Sequence, residues 1–110
     1  MKSQVVCPVE LALRMLGGKW RGSILYQLQY GPLRFTALKN RVQDGVVDYD
    51  GSENYLSNKV LSGHLNALLD FQLIRKTENG DGNVHYELSD NGLSVMPILI
   101  DLFYWGEKQV

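Results

Sequence analysis

The sequence predicts an α+β fold that is mainly α, with several short helices and one β-hairpin. Apolar residues recur at helical spacing in separate stretches of the chain, as expected for amphipathic helices. Toward the C-terminal end, a turn at residues 79–82 leads into the alternating segment Val84–Leu88, which indicates a hairpin. The chain has 110 residues, 45% of them hydrophobic, which is the length and composition of one domain with one core. We therefore expect residues 1–110 to form a single domain.

Two helices are predicted in the first part of the chain. The first begins at Pro8, where the missing N–H costs nothing, and ends at Gly17 and Gly18. Its apolar stripe follows the spacing i, i+3, i+4, i+7 and consists of Val9, Ala12, Leu13 and Leu16. The second spans about residues 19–29 and stops at residues 31–32, because glycine accepts a left-handed cap and proline cannot continue a helix. Its inward row is Trp20, Ile24 and Leu28.

A third and a fourth helix follow, separated by a loop. Phe35 and Leu38 open the short third helix, with Thr36 as its N-cap. Residues 43–54 contain two glycines and four acidic residues without periodicity, which predicts a loop. Ser57 caps the fourth helix, residues 58 to about 71. We expect its buried row to be Leu61, Leu65, Leu68 and Leu69 with Val60 beside it, and its opposite face to be Asn58, Lys59, Ser62, Gly63 and Asn66.

The hairpin and a last helix complete the chain. The strands are expected at residues 73–78 and 84–88, with one face of the second strand buried and the other in water. Ser89 caps a helix that runs toward Trp105, and Pro97 should kink it. Because this helix is apolar on more than one side and the chain is short, a partner subunit is favoured over burial in its own core.

This order of elements is that of a winged helix-turn-helix domain. In that layout the fourth helix is the recognition helix and the hairpin is the wing beside it. The charge distribution is uneven: residues 11–43 carry six basic and no acidic residues, whereas residues 44–53 carry four acidic and no basic ones. The net charge of −1 provides no general attraction to nucleic acid, and composition alone favours a solvated face for the basic segment.

Short motifs along nearly the whole chain resemble one family. Residues 7–10 (CPVE), 17–20 (GGKW) and 31–35 (GPLRF) are similar, in order and in spacing, to the signature of HxlR-type winged helix-turn-helix regulators of the MarR-like group. Residues 56–62 (LSNKVLS) resemble the start of that family's recognition helix, and residues 86–92 (YELSDNG) and Pro97 match its later positions. The resemblance implies a DNA-binding transcriptional regulator, dimeric through its first and last helices. It also implies that a cysteine at the position of Cys7 senses oxidants or electrophiles in some members.

The chain departs from the family pattern at four places. It inserts about eleven residues, 44–54, before the recognition helix. Gly63 and His64 stand where the family often has glutamine and arginine; glycine weakens the helix by ~1 kcal/mol relative to alanine, and histidine is largely neutral at pH 7. Gln72 replaces the family's helix-ending glycine, so the usual stop is missing, and Asn83 replaces an arginine of the wing. These changes bear on affinity and site choice rather than on the fold.

The candidate DNA-binding residues form two groups. Side chains on the exposed face of the recognition helix would reach base edges, since asparagine can pair with adenine and lysine can reach guanine. These are Asn58, Lys59, Ser62, Gly63, His64 and Asn66. Cations flanking that helix would contact phosphate, namely Arg34, Lys39, Arg75 and Lys76. All of them are also compatible with ordinary solvated surface, so the expected partner, a double-stranded operator, depends on the family resemblance.

Two further sets of residues are singled out. The candidate dimer interface consists of Leu13, Met96, Leu99, Ile100, Leu102, Phe103 and Trp105. Cys7 is the redox-sensing candidate, because backbone N–H groups at the start of the first helix favour an anion such as a thiolate. It is equally compatible with a small inert residue that helps the helix begin. Trp20, Tyr26, Phe35 and Trp105 could line a ligand pocket, although aromatic residues at helical spacing are more often core or interface, and no effector is predicted.

Other classes of function find little support in the sequence. With one cysteine, no internal disulfide or multi-cysteine zinc site can form, and His64 and His85 are expected to be surface histidines without further metal ligands. No phosphate-binding loop, serine elbow or carboxylate pair is visible, so no cofactor and no enzymatic activity are expected. No apolar run is long enough for a membrane span and the start has no signal-peptide character, which favours the cytoplasm. Two alternatives remain: a winged-helix module that binds another protein and DNA only weakly, and a thiol-dependent redox enzyme supported by Cys7 alone.

Overall fold

The computed structural model describes residues 7–45 and 55–110, which form five helices and one two-stranded antiparallel sheet. In chain order the elements are α1 (Pro8–Leu16), α2 (Arg21–Leu28), α3 (Phe35–Gly45), α4 (Asn58–Asp70), β1 (Ile74–Glu78), β2 (Val84–Leu88) and α5 (Asp90–Glu107). The predicted α+β, mainly helical class and the winged helix-turn-helix order are confirmed.

The core lies where α2, α3, α4 and the hairpin meet. Two of the predicted inward rows are confirmed, since Trp20, Ile24 and Leu28 of the α2 region and Leu61, Leu65 and Leu68 of α4 are buried. Leu25 and Leu56 are also fully buried, which the sequence analysis did not anticipate. The expectation for Val60 is wrong: its side chain is 42% exposed, because it projects about 100° around the helix from Leu61.

The third helix is longer than expected. It begins at Phe35, and the Leu38 N–H donates to the Arg34 carbonyl, so Thr36 lies inside the helix and is not its N-cap. Residues 43–45, expected in a loop, form its last turn. The rest of the predicted loop, residues 46–54, lies outside the described residues.

The fourth helix has both a cap at its start and a defined stop at its end. The Ser57 hydroxyl accepts a hydrogen bond from the Val60 N–H at 3.1 Å, which confirms the predicted N-cap. At the other end, Gln72 adopts a left-handed conformation with φ of 61°. The Gln72 N–H donates to the Leu69 carbonyl and the Leu73 N–H to the Leu68 carbonyl, which is the Schellman pattern. The expectation that the helix stop is missing is therefore wrong, because glutamine takes the conformation that glycine usually supplies.

The hairpin contains the expected strands and one further pairing. Ile74 faces Leu88 and Glu78 faces Val84 in the antiparallel register. Leu33 extends the sheet, because its N–H and carbonyl exchange hydrogen bonds of 3.0 and 2.8 Å with the backbone of Tyr86. The expected alternation in β2 is weak, since Leu88 is buried and the other four residues are half-buried. The segment before α3 thereby anchors the wing to the helical part of the domain.

The last helix packs its first half against the core and leaves its second half exposed. The Ser89 hydroxyl accepts from the Gly92 N–H at 3.0 Å, which confirms the predicted cap, and the helix continues through Pro97 to Glu107. Gly92 is buried against Leu73, the residue before β1, where an added Cβ would lie 2.0 Å from the Leu73 carbonyl oxygen. Met96 is 6% exposed and belongs to the core. The assignment of Met96 to a dimer interface is therefore wrong, because its side chain is already covered by its own chain.

Candidate DNA-binding and dimerisation surfaces

The outer face of α4 carries the polar residues expected there. Five of the six candidates on this helix are exposed, since the buried row of leucines turns the opposite side outward. They are Asn58, Lys59, Ser62, Gly63 and Asn66. Gly63 has no atom within 4 Å of the position that a Cβ would take, so this point of the face is open.

His64, the sixth candidate, is turned away from that face. Its ring is half-buried, and its Nδ1 accepts a hydrogen bond of 3.2 Å from Arg21 Nε at the start of α2. Burial and the neighbouring Arg21 charge both lower the pKa of His64 from its ordinary value of 6.5. His64 and His85, expected to be surface histidines, are both half-buried, and Arg21 and Gly18 lie next to His64.

The flanking cations differ in how much of their charge is available. Arg34 is exposed beside the start of α3, and the Lys39 ammonium lies 5.5 Å from the ring centroid of Tyr55. On the wing, Arg75 Nε lies 3.5 Å from a carboxylate oxygen of Glu87 on the paired strand. Lys76 is exposed on the opposite face of β1, because successive strand residues alternate.

The two described ends of the inserted segment are held close together. The Gln43 side-chain amide oxygen accepts a hydrogen bond from the Leu56 N–H, and Leu56 is fully buried in the core. The contact between Lys39 and Tyr55 lies at the same junction. A hydrogen bond therefore joins the described chain on the two sides of the insertion.

The first and last helices expose a broad apolar surface. None of the residues of α1 is buried, and Leu13 is 62% exposed. On α5, Leu102 and Phe103 are each 50% exposed and Trp105 is 62% exposed, whereas Leu99 and Ile100 are half-buried. Five further apolar side chains of these helices are exposed and were not among the predicted interface residues, namely Val9, Leu11, Leu93, Ile98 and Tyr104. Such a surface on a small domain is typical of a protein–protein interface.

Cys7 occupies the N-cap position of α1. Its thiol is exposed and unbridged, and its side chain caps none of the backbone N–H groups of the first turn. Glu10 in the same turn adds a negative charge close by. The position is thus accessible to a reagent.

The aromatic residues proposed as a pocket do not come together as a set. Trp20 is in the core and Trp105 is exposed. Tyr26 does line an open groove of about 490 Å³ between α2 and α5, where its ring stacks on Phe103 at 6.0 Å between centroids. Within residues 7–45 and 55–110, no cluster of three or more His, Cys, Asp or Glu side chains could hold a metal ion. In the same part of the chain, no helix has the length and apolarity needed to cross a membrane.

Comparison with known proteins identifies similar sequences over nearly the full length. The model of the HxlR-like helix-turn-helix family matches residues 15–110. The HTH-type transcriptional regulator YdzF of Bacillus subtilis is 31% identical over 105 residues, which cover 93% of this chain and 86% of YdzF.

Solved structures show the same fold. The structure of the HTH-type transcriptional regulator ytcD is similar with a TM-score of 0.76 and 30% identity, covering 94% of this chain and 97% of that one. The oxidised form of the redox regulator HypR is similar with a TM-score of 0.75 and 26% identity, covering 93% and 96% of the two chains.

Proposed function

The chain belongs to the HxlR-like helix-turn-helix family of transcriptional regulators, which are not enzymes, and from that premise we propose that it binds a double-stranded operator as a homodimer in the cytoplasm. The observation that carries the proposal is that the protein has two distinct exposed surfaces, one polar and one apolar. The outer face of α4 is polar and open, whereas α1 and the second half of α5 are apolar and exposed. A polar helix face suits a DNA groove, and an apolar helical surface suits a second copy of the chain.

In the proposed complex, the two α4 helices enter successive major grooves, which lie about 34–36 Å apart. Lys59 and the asparagines Asn58 and Asn66 present donors and acceptors that match guanine and adenine edges. Gly63 provides room for the close approach of a base or a phosphate, since no atom from elsewhere in the fold lies within 4 Å of the position that a Cβ would take. Ser62 shares this exposed face, whereas His64 lies on the other side of the helix, where it accepts a hydrogen bond from Arg21.

Four cations flank α4 and would contact phosphate. Arg34 and Lys76 are exposed. Lys39 contacts the ring of Tyr55, and Arg75 forms an ion pair with Glu87. The pairing of Arg75 with Glu87 reduces the charge that it offers to DNA. We therefore expect few effective phosphate contacts and a shallow dependence of affinity on salt.

The operator-binding proposal is tested with genomic fragments selected by the purified protein, followed by titrations at several salt concentrations. Lys59→Ala is expected to reduce affinity and discrimination between bases, at a cost of about 1–3 kcal/mol. Lys76→Ala is the matched control and should weaken binding to all sequences alike while lowering the salt slope. Selected fragments without a shared motif would contradict sequence-specific regulation.

We further propose that Cys7 senses oxidants or electrophiles. The support is its exposure at the start of α1, together with the similarity to the redox regulator HypR. With a quinone, the Cys7 sulfur would add to a ring carbon and the thiol proton would pass to the quinone, which becomes a hydroquinone thioether. Alternatively, diamide would take up two electrons and two protons as the Cys7 thiols of two chains join in a disulfide. Either change at the end of α1 would alter the dimer and, through it, the spacing of the α4 helices.

The sensor proposal is tested by measuring DNA affinity before and after diamide or quinone treatment. Treatment should change the affinity of the wild-type protein and leave that of Cys7→Ser unchanged. Equal responses of the two proteins, or no response in either, would make Cys7 a structural residue.

A further inference from the structure

Arg21 joins three parts of the molecule through one side chain. Its Nη1 donates to the carbonyl oxygens of Arg14 at 3.1 Å and Met15 at 3.4 Å, at the end of α1. Its Nε donates to His64 Nδ1 in the middle of α4. Its guanidinium carbon lies 6.0 Å from the ring centroid of Phe71, which caps the end of α4. Arg21 therefore links α1 to the recognition helix.

This link matters because α1 is otherwise held only at its end, where the partly buried Met15 and Leu16 pack against the core. None of its residues is buried. The last carbonyls of any helix have no partner within the helix, and Arg21 supplies donors to two of them in α1. The end of α1, one of the two helices with an exposed apolar face, is thus bound by the same guanidinium that contacts α4.

The link requires a neutral His64. Nδ1 accepts from Arg21, so the ring carries its proton on Nε2. If His64 took up a second proton, its Nδ1 would become a donor that faces the Nε–H donor of Arg21. The imidazolium and the guanidinium would then be two cations in contact. Among the described residues, Arg21 is the charged group whose field acts on His64. The neighbours one turn away on α4, Val60 and Leu68, are uncharged.

We propose that Arg21 is a positioning residue that couples α1 to the recognition helix, and that protonation of His64 releases this coupling and weakens operator binding in acid. This pH dependence of DNA affinity is opposite to the usual one, because a histidine that contacts phosphate binds DNA more tightly when it is protonated. The proposal rests on the proposed operator binding, but the link between α1 and α4 is also measurable without DNA.

The size of the effect follows from linkage. Burial and Arg21 lower the pKa of His64, so the stability that its neutral form contributes is complete above pH 6.5, the ordinary value, and is lost as the pH falls through the lowered folded-state value. At about pH 5.5 a histidine with the ordinary value would be about nine-tenths protonated, so each protomer can lower operator affinity by at most about tenfold. Because the folded-state pKa lies below that ordinary value, we expect a decrease of less than about tenfold per protomer between about pH 7.5 and about pH 5.5.

The experiment compares operator affinity across that range at constant ionic strength for three proteins. In His64→Asn, the amide oxygen can accept from Arg21 and does not titrate, so affinity should stay level. In His85→Asn, the histidine of the wing is removed and the response to acid should remain that of the wild type. An undiminished response in His64→Asn, or wild-type affinity that is constant or rises in acid, would overturn the proposal.

A second readout separates this proposal from the operator-binding proposal. In the DNA-free protein, nuclear magnetic resonance follows the protonation of the His64 ring and the environments of Arg14 and Met15. We expect the signals of Arg14 and Met15 to shift with the titration of His64 and to remain constant in His64→Asn. If they do not follow it, the coupling is refuted even where DNA binds. If they follow it but no DNA binds at any pH, the coupling stands and operator binding fails.

Discussion

Gln72 is a single residue whose backbone conformation carries a cost. Its φ of 61° places a side chain in the left-handed region, where any residue but glycine is disfavoured. The conformation persists because the Schellman hydrogen bonds end α4, and the Ser89 hydroxyl donates to the Gln72 carbonyl at 2.6 Å. These bonds involve the backbone of Gln72 and do not depend on its side chain.

Gln72→Gly is therefore expected to stabilise the protein by about 1 kcal/mol. Urea denaturation measures the change in the free energy of unfolding. Asn66→Gly is the matched control: it places glycine inside the same helix and should destabilise by a similar amount. A loss of stability in Gln72→Gly would mean that the glutamine side chain makes a stabilising contact.

At two helical glycines, Gly63 and Gly92, the surroundings decide whether substitution by alanine stabilises or destabilises the protein. Gly92→Ala places a methyl group 2.0 Å from the Leu73 carbonyl oxygen, so a backbone shift is required. We expect destabilisation by about 1–3 kcal/mol, the usual cost of overpacking. Gly63→Ala meets no atom within 4 Å and should stabilise by up to about 1 kcal/mol, the helix-propensity gain. Denaturation of both variants should give opposite changes; changes of the same sign would contradict this account.

At the scale of elements, the insertion between α3 and α4 is negatively charged and should repel the phosphates of DNA. Its residues 46–54 include Asp48, Asp50 and Glu53 and no basic residue. Its described ends are joined by the bond between Gln43 and Leu56. Replacing residues 46–54 by a short Gly-Ser linker should therefore preserve the fold and tighten non-specific DNA binding at low salt, an effect that disappears at high salt.

The matched control neutralises the three acids as Asp48→Asn, Asp50→Asn and Glu53→Gln without changing the length of the segment. Equal gains in the two proteins would assign the effect to charge. Weaker DNA binding in both would contradict the repulsion and indicate that the insertion contributes contacts to DNA.

At the scale of the whole molecule, the apolar surface of α1 and α5 predicts the assembly state. Leu13 and Leu102 are 62% and 50% exposed, so their substitution does not disturb the core. Leu13→Glu combined with Leu102→Glu should yield monomers, because burying carboxylates in an apolar interface costs several kcal/mol. Sedimentation velocity at micromolar concentration measures the result.

The control for the added charge is Asn40→Glu combined with Asn66→Glu, at exposed positions of α3 and α4. This variant should sediment as the wild type does. Wild-type protein that is monomeric under these conditions would refute the proposed homodimer.

The sequence by itself determined the order and type of the elements, both serine caps and most of the buried rows. Helical periodicity and capping act over a few residues, so Ser57 and Ser89 were identifiable from their neighbours alone. The polar face of α4 followed from the same periodicity. The basic residues before α3 indicated a cationic segment, but nothing local distinguished Arg21 from the others.

Only the tertiary structure decided which side chains meet across the fold. The bond from Arg21 to His64 joins residues 43 positions apart, and the pairing of Leu33 with Tyr86 joins the start of α3 to the wing. The left-handed conformation of Gln72 and the burial of Met96 likewise depend on the elements packed around them. Contacts of this kind arise from the packing of several elements at once, so no pattern within a single segment of the sequence encodes them.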